Sequence, residues 1–287
     1  MQKKISLARS IARTTASIPK STIAKTLGIS RGSLYAKPKQ PEKDKALLER
    51  ILSVLHTNPH YGHRRISLVL GISRKATLRI MRKYALATRR RKKRYQTTKK
   101  LPPSRIPNRI KSLCPIAPNV FWAGDFTIVK FHAVTIYLAT VIDLYTREIV
   151  GYALGLHHSA QLIVDALENA LQNRATTPSL FHSDQGSEYQ SQLLRAVLLA
   201  HHILPSHSKK SHPWENGYQE SFYRSFKQEL GDISQLLTID ELYEAIAQRI
   251  YYYNTTRIHS ALKMPPRVFF TNWQAQHQAP KQLIHTV

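Results

Sequence analysis

Cysteine and acidic residues are both scarce in this chain, and each scarcity limits the kinds of protein to which the chain can belong. Among 287 residues there is one cysteine, which excludes an internal disulfide and a cysteine-cluster zinc site. Aspartate and glutamate number 17 against 43 lysines and arginines, a formal net charge of +26. Such a charge attracts phosphate polyanions, although a merely basic surface of ribosomal type is the alternative. No apolar run reaches transmembrane length and the N-terminus lacks a signal peptide, so we expect a cytoplasmic protein.

A five-residue motif occurs twice in the first part of the chain. Residues 27–31 read Leu-Gly-Ile-Ser-Arg, and residues 70–74 repeat the same letters. In each copy the glycine can end one helix in a left-handed conformation, and the serine can cap the next helix. The motif predicts two helix-turn-helix units within residues 1–88, and in a basic chain it favours DNA binding over two unrelated helical hairpins. Arg64 and Arg65, just before the second copy, are expected to contact DNA.

A basic stretch that contains prolines separates this region from the rest of the chain, over residues 89–118. Six consecutive cations open it, and prolines follow. Like charges repel and proline blocks helices, so we expect an extended linker. It is either a solvated tether or a strap along the DNA backbone, in which Arg90, Arg91 and Lys92 would contact phosphates.

From residue 119 the pattern changes to strands that alternate with helices. Three stretches rich in β-branched and aromatic residues come first, and their close spacing predicts an antiparallel meander. They span residues 120–131, 134–144 and 148–156. A helix capped by Ser159, two short strands and further helices follow. Residues 119–275 are therefore expected to form an α/β domain with a mixed sheet flanked by helices, before a short tail at 276–287.

Three carboxylates in this domain lie in ordered or apolar segments. Asp125 lies inside the first strand, where a carboxylate needs a partner or an ion, and alternation places it on one face with Ala123 and Thr127. Asp184 directly follows a short strand that we expect to be parallel, at the edge where α/β sheets bind ligands. Glu220 lies on a predicted helix. If the three converge they repel one another, and Mg²⁺ would relieve that repulsion.

Glu220 also has a simpler interpretation. It can form a surface ion pair with Arg224 four residues later, an arrangement that is common on helices. In the functional interpretation, one helix face presents Glu220 to a metal ion and presents Arg224 and Lys227 to phosphates.

Three other acids compete for the same role. Glu188 is four residues after Asp184, and Glu215 lies at a predicted helix start, where the helix dipole stabilises acids. Asp143 could approach the site, but we expect it to end its strand and to pair with Arg147.

Five segments of the domain, taken in order, carry a recognisable pattern. They are W-A-G-D-F-T (122–127), V-I-D-L-Y-T-R-E-I-V-G (141–151), H-S-D-Q-G-S-E-Y (182–189), E-N-G-Y-Q-E-S-F (215–222) and Y-N-T-T-R-I-H-S-A-L (253–262). Together they resemble the OrfB-type DDE transposases of insertion-sequence family three, whose catalytic core is similar to that of retroviral integrases. The 35 residues between Asp184 and Glu220 match that family as well. Upstream, Y-G-H-R-R (61–65) resembles the helix-turn-helix that precedes the core.

This resemblance implies both a fold and a set of site residues. The core would be an RNase H-like mixed five-stranded sheet flanked by helices, preceded by an all-α helix-turn-helix region. Asp125, Asp184 and Glu220 match the catalytic triad and would hold two Mg²⁺ ions, for which Mn²⁺ could substitute. Lys227 matches a basic position that contacts the transposon end.

The resemblance also implies an activity and partners. The enzyme would cleave DNA at element ends and join a 3′-hydroxyl to target DNA, as a homo-multimer on the terminal inverted repeats. It would work in the nucleoid, with an OrfA-type upstream protein as a further partner. Two alternatives stay open: a catalytically inactive, transposase-derived DNA-binding regulator, and a structure-specific nuclease on the same fold.

Overall fold

The described part of the protein forms two compact units. A computed structural model describes residues 2–15, 17–35, 39–86, 106–110, 113–208 and 216–277. The units are Met1–Ala87 and Thr88–Val287. Arg90, Arg91 and Lys92 of the predicted linker lie outside the described residues, as does most of the tail. Among the helices that are described, none combines the length and the apolar content that a membrane span requires.

The N-terminal unit consists of helices. They are α1 (Gln2–Thr14), α2 (Lys20–Thr26), α3 (Arg31–Tyr35), α4 (Lys39–Thr57), α5 (His63–Leu70) and α6 (Arg74–Lys83). Gly28 and Gly71 have positive φ angles of 62° and 63°, so both end a helix in the left-handed conformation that the motif predicts. Ser73 occupies the N-cap position of α6 as the motif predicts, but its side chain makes no capping hydrogen bond to that helix.

Asp44 connects two helices of this unit. Its side chain is 3% exposed and accepts hydrogen bonds from both terminal nitrogens of Arg79 (2.6 and 2.9 Å) and from Lys83 Nζ (2.9 Å). Asp44 on α4 therefore anchors α6, and its single negative charge is shared between two of that helix's cations. Arg74 and Arg82 of the same helix make no ion pair within the described residues.

The second unit is built on a mixed five-stranded sheet. Its strands are β1 (Phe121–Phe131), β2 (Val134–Asp143), β3 (Ile149–Gly155), β4 (Leu180–Ser183) and β5 (Leu204–His207). Their order is β3-β2-β1-β4-β5. The first three strands are antiparallel, and β4 runs parallel to both β1 and β5. The antiparallel meander and the parallel fourth strand are those that the sequence predicts.

Helices cover both faces of this sheet. They are α7 (Ala160–Arg174), α8 (Gln192–Ala200), α9 (Gly217–Leu230), α10 (Ile239–Thr255) and α11 (Pro266–His277). Side chains alternate along β1, so Trp122 packs with α7 and α8 whereas Ala123 packs with α9 and α10. Because Asp125 shares the face of Ala123, its side chain lies on the α9 side of the sheet.

Helix α11 is absent from the sequence-based expectation. It docks through Arg267, which forms an ion pair with the fully buried Glu148. Glu148 also pairs with Arg174 of α7, whose guanidinium carbon lies 4.1 Å from the centre of the Phe270 ring. The helix is thus held by one buried acid that lies between two arginines from distant segments. Such a contact leaves no local pattern in the sequence, so periodicity alone does not reveal the helix.

Gly151 sets how closely α7 approaches the sheet. A Cβ atom added at this position on β3 would overlap the Ala166 carbonyl oxygen and the Ala170 backbone nitrogen of α7. These are backbone atoms, which cannot rotate out of the way. The close packing of α7 on β3 therefore requires a residue without a side chain here.

We expect Gly151→Ala to lower the free energy of unfolding by roughly 1–3 kcal/mol, the usual cost of overpacking a core. Urea and thermal unfolding curves measure this loss. Gly155→Ala on the same strand is the matched control, because its Cβ would mainly meet the flexible end of Leu162. Equal losses in the two variants would contradict a specific constraint from the α7 backbone.

Candidate active site

Asp125 lies near the middle of β1, directly opposite Thr140 of β2. Its Oδ1 atom accepts a hydrogen bond from the Phe126 backbone N–H at 2.9 Å. The residue is half-buried, and its other carboxylate oxygen makes no hydrogen bond to the described residues. The strand thus fixes one oxygen and leaves the other available on the α9 side of the sheet.

Asp184 directly follows β4, and the parallel pairing of β4 with β1 brings it beside Asp125. The last pair in this register is Ala123 with His182. Two residues further along in each segment, Asp125 and Asp184 lie at the same height and on the same face of the sheet. Asp184 Oδ1 accepts a hydrogen bond from the Gly186 N–H at 2.9 Å, which fixes the turn that leaves the strand.

Glu220 lies in the first turn of α9 and is exposed. The residue before it, Gln219, donates a hydrogen bond from Nε2 to the Ala123 carbonyl oxygen at 2.7 Å. One turn later, the Tyr223 hydroxyl donates to the Asp125 carbonyl oxygen, also at 2.7 Å. These two contacts hold the start of α9 against β1 on either side of Glu220.

The carboxylates influence one another's ionisation. The pKa of Asp125 is raised to about 8, mainly by burial and then by the negative charge of Asp184, and Glu220 adds to the effect. Lys227, seven residues after Glu220, acts in the opposite direction on the same pKa. Burial likewise raises the pKa of Asp184. The structure therefore brings the three predicted acids and one predicted cation into a single electrostatic environment.

The donor atoms of this site suit a hard divalent cation, which takes oxygen ligands. Asp125 and Asp184 each keep one carboxylate oxygen free of hydrogen bonds to the described residues. A cation would also relieve the repulsion that raises the pKa of Asp125. No group of three or more His, Cys, Asp or Glu side chains within the described ranges is placed to hold one ion. Asp125, Asp184 and Glu220 would therefore have to draw closer together to share it.

Glu188, a rival third acid, already has partners. Its carboxylate lies 3.1 Å from His158 Nδ1 and accepts a hydrogen bond from the Ser187 hydroxyl at 2.8 Å. Its charge raises the pKa of Asp184, so it lies near the site. Glu215, the second rival acid, lies outside the described residues.

Asp143 ends β2 as predicted, but its predicted pairing with the Arg147 side chain is wrong. The carboxylate accepts hydrogen bonds from three backbone N–H groups of the adjacent loops, which occupy both of its oxygens. The Arg147 guanidinium instead lies over the Tyr218 ring, 3.5 Å from its centre. Backbone donors within the same turn are nearer than the guanidinium, so Asp143 serves the turn and not the site.

The predicted cations of α9 do not pair with Glu220. Arg224 is exposed, and within the described residues it forms no ion pair with Glu220, so the simpler surface-pair interpretation is not realised. Lys227 is half-buried and close enough to act on Asp125. One helix thus presents an acid and two cations along the side of the sheet that carries the aspartates, and no ion pair joins Arg224 to that acid in the described part of the chain.

The N-terminal unit has a basic surface that extends beyond the predicted Arg64 and Arg65. The pKa of His63 is lowered, first by burial and then by the positive charges of Arg64, Arg74 and Arg82. These residues therefore lie close together at the start of α5 and along α6. Sequence reasoning missed Arg74 and Arg82 because their proximity to His63 depends on how the two helices pack.

We expect metal-free protein to lose stability relative to an Asp125→Asn variant as the pH rises from about 4 to about 8. The folded state keeps Asp125 protonated, whereas the unfolded chain ionises it above its ordinary pKa of 3.8, so rising pH favours unfolding until it passes the folded pKa of about 8. Thermal unfolding in chelator at several pH values measures the difference. Asp232→Asn is a control for which the opposite trend is expected. Hydrogen bonds from Ser234 lower the pKa of Asp232, so rising pH should stabilise the wild type relative to that variant. A pH-independent difference for Asp125→Asn would contradict the raised pKa.

Two family models match this part of the chain. Both are described as an integrase core domain, one over residues 115–213 and the other over residues 201–266. Asp125 and Asp184 lie within the first match and Glu220 within the second.

Solved structures of viral integrases are similar to the chain at low sequence identity. One is the simian T-cell lymphotropic virus intasome in complex with the PP2A regulatory subunit B56 gamma, with a TM-score of 0.48 and 18% identity over 79% of this chain and 74% of that one. Another is the HTLV-2 integrase catalytic core domain in complex with magnesium, with a TM-score of 0.43 and 20% identity over 50% of this chain and 92% of that one.

Curated relatives extend over most of the chain. The transposase for insertion sequence element IS904 of Lactococcus lactis subsp. lactis is 33% identical over 242 residues, covering 80% of this chain and 95% of the relative. The putative transposase InsK for insertion sequence element IS150 of Escherichia coli K12 is 30% identical over 257 residues, covering 85% and 90%. Transposase InsF for IS3A of the same strain is 38% identical over 113 residues, or 39% of each chain. With these relatives and the integrase core at its centre, the chain belongs to the DDE transposases of insertion-sequence family three.

Proposed function

We propose that this transposase cleaves DNA at the ends of its insertion sequence and joins the freed 3′-hydroxyl to a target phosphodiester, with Asp125, Asp184 and Glu220 at the reaction centre. The observation that carries the proposal is the electrostatic coupling of these three acids on an integrase core. The alternative of an inactive DNA-binding regulator is less well supported, because the relatives are named transposases.

The three carboxylates would hold divalent cations, and we assign them two Mg²⁺ ions that Mn²⁺ can replace. When bound, such ions activate the attacking water or hydroxyl and stabilise the leaving oxygen of an in-line displacement. Asp125 and Asp184 are fixed by backbone N–H donors and supply the rigid side of the site. Glu220 extends from α9 and would supply the third carboxylate.

Cations on both units would hold the DNA. Lys227 acts on Asp125, which supports its assignment to a phosphate next to the scissile bond, and Arg224 would extend the same surface by one turn. In the N-terminal unit, Arg64 and Arg65 would contact the terminal repeat. Arg90, Arg91 and Lys92 stay a prediction for the strap along the DNA backbone.

The partners belong to the same proposal. The enzyme would bind double-stranded DNA at both terminal inverted repeats and at the target, as a multimer that holds the paired ends. An OrfA-type upstream protein and a nucleoid-associated, cytoplasmic location are further parts of it.

We expect Asp184→Asn to remove metal-dependent cleavage of labelled duplexes that carry the element boundary. Losing a direct ligand should reduce the rate beyond the roughly 10–100-fold that is typical for residues behind the ligands. Gel analysis of nicked and joined products in Mg²⁺ or Mn²⁺ measures it. Asp165→Asn, an exposed aspartate on α7, is the matched control. Glu188→Gln should keep activity within about tenfold, since Glu188 is not the third acid in this scheme. Intact strand transfer in Asp184→Asn would overturn the proposal.

We expect Arg224→Gln to weaken DNA binding and to reduce its salt dependence. Each phosphate contact that is lost lowers the slope of log K against log salt concentration by about 0.9. Fluorescence anisotropy at a series of salt concentrations measures the slope. Arg195→Gln serves as the control, because Arg195 is also exposed but lies on α8, which packs on the opposite face of the sheet. Identical slopes for wild type and Arg224→Gln would exclude Arg224 as a phosphate contact.

A further inference from the structure

Three buried polar side chains lie between α9 and the strands that carry the site. They are Thr140 on β2 and Gln219 and Tyr223 on α9, which are 1%, 0% and 7% exposed. The Thr140 hydroxyl donates to Gln219 Oε1 at 3.0 Å and lies 2.8 Å from the Tyr223 hydroxyl oxygen. Buried polar groups are costly unless they are paired, so their presence in an apolar layer calls for a reason.

The Gln219 amide uses all of its hydrogen-bonding groups in this network. Its Nε2 donates to the Ala123 carbonyl oxygen at 2.7 Å and to the Thr140 carbonyl oxygen at 3.1 Å, while its Oε1 accepts from Thr140. One side chain of α9 is thereby bonded to two adjacent strands at once. Such a bidentate contact fixes both the height and the position of the helix start.

The network ends on the backbone that carries the candidate catalytic acids. Thr140 is the cross-strand partner of Asp125, and the Tyr223 hydroxyl donates to the carbonyl oxygen of Asp125 itself. On the helix side, Gln219 is the residue before Glu220, and Tyr223 follows Glu220 by one turn. The network therefore connects the backbone of Asp125 to the residues of α9 on either side of Glu220. None of its three side chains forms a hydrogen bond with either carboxylate.

We propose that Gln219, Thr140 and Tyr223 are positioning residues that set the separation between Glu220 and Asp125, and hence the affinity with which these acids share a divalent cation. The inference rests on the proposed function, because it takes Asp125 and Glu220 to act on the same ion. Asp125 belongs to the rigid sheet, whereas Glu220 is an exposed residue of a helix, so the distance between them depends on how that helix is attached.

A second buried amide in the same unit makes comparable contacts away from the acids. Asn254 on α10 accepts a hydrogen bond from the Ile149 N–H and donates one to the Ile149 carbonyl oxygen, both at 2.9 Å. It is 7% exposed and ties a helix to a strand, as Gln219 does. If the network around Gln219 only supported the fold, loss of either amide would have the same consequences.

The test is Mn²⁺ binding by titration calorimetry on the full chain without DNA, alongside strand-transfer rates at varied Mg²⁺. Gln219→Met keeps side-chain size and removes the amide hydrogen bonds, and Thr140→Val keeps side-chain size and removes the contacts of the hydroxyl. We expect each to raise the Mn²⁺ dissociation constant and the half-saturating Mg²⁺ concentration about tenfold, the size of effect that residues behind metal ligands usually have. Thr140→Ser keeps the hydroxyl and should restore wild-type binding, and Asn254→Leu should change it by less than about twofold.

Three results separate the possible failures. Unchanged Mn²⁺ affinity in folded Gln219→Met or Thr140→Val, while Asp184→Asn abolishes binding, would overturn the positioning role and leave the proposed function standing. An equal loss of affinity in Asn254→Leu would likewise overturn it in favour of a general structural effect. Wild-type Mn²⁺ binding that survives Asp184→Asn would contradict the proposed metal site itself. Melting curves without metal confirm that every variant is folded at the temperature used.

Discussion

The constraint on which this catalytic unit depends is the cost of placing a carboxylate in the central strand of a sheet. Burial alone favours the neutral form of Asp125, and the neighbouring Asp184 and Glu220 make its ionisation harder still. One backbone N–H and the charge of Lys227 offset only part of this. The site is therefore an unfavourable concentration of negative charge in a chain that is otherwise strongly positive. A bound cation would relieve the repulsion among these carboxylates most directly, and the cation could in turn hold a phosphate.

Two of these acids are positioned by the strands of the sheet, whereas the third is positioned by a helix that packs on it. Asp125 lies on β1 and Asp184 directly follows β4, and the parallel pairing of these two strands leaves little freedom in their relative position. Glu220 belongs to a helix that covers the sheet, and its position depends on side-chain contacts made by its neighbours. Close packing on the other face, where Gly151 lets α7 approach β3, keeps the sheet itself in place. The candidate site thus combines two acids positioned by strand pairing with a third positioned by the attachment of α9.

Features that depend on local pattern could be predicted from the sequence. The period of two along β1 placed Asp125 on the face of Ala123, and the strand before Asp184 was recognisable from its apolar residues and following turn. Features that depend on contacts between distant segments could not. Helix α11 is held by Arg267 on the buried Glu148, and Arg147 prefers the Tyr218 ring to Asp143. The network of Thr140, Gln219 and Tyr223 also escapes pattern reasoning, because each member by itself looks like an ordinary polar residue.

The pairing of β4 with β1 has a consequence for how the candidate site is assembled from the chain. Asp125 and Asp184 are adjacent in space but are separated by the whole β2–β3–α7 segment, so they meet only after a contact of long sequence separation has formed. Contacts of this kind form slowly. Glu220 follows on a still later helix. Assembly of the candidate site therefore requires the chain from β1 to α9, whereas the basic N-terminal unit is formed by helices that lie within Met1–Ala87.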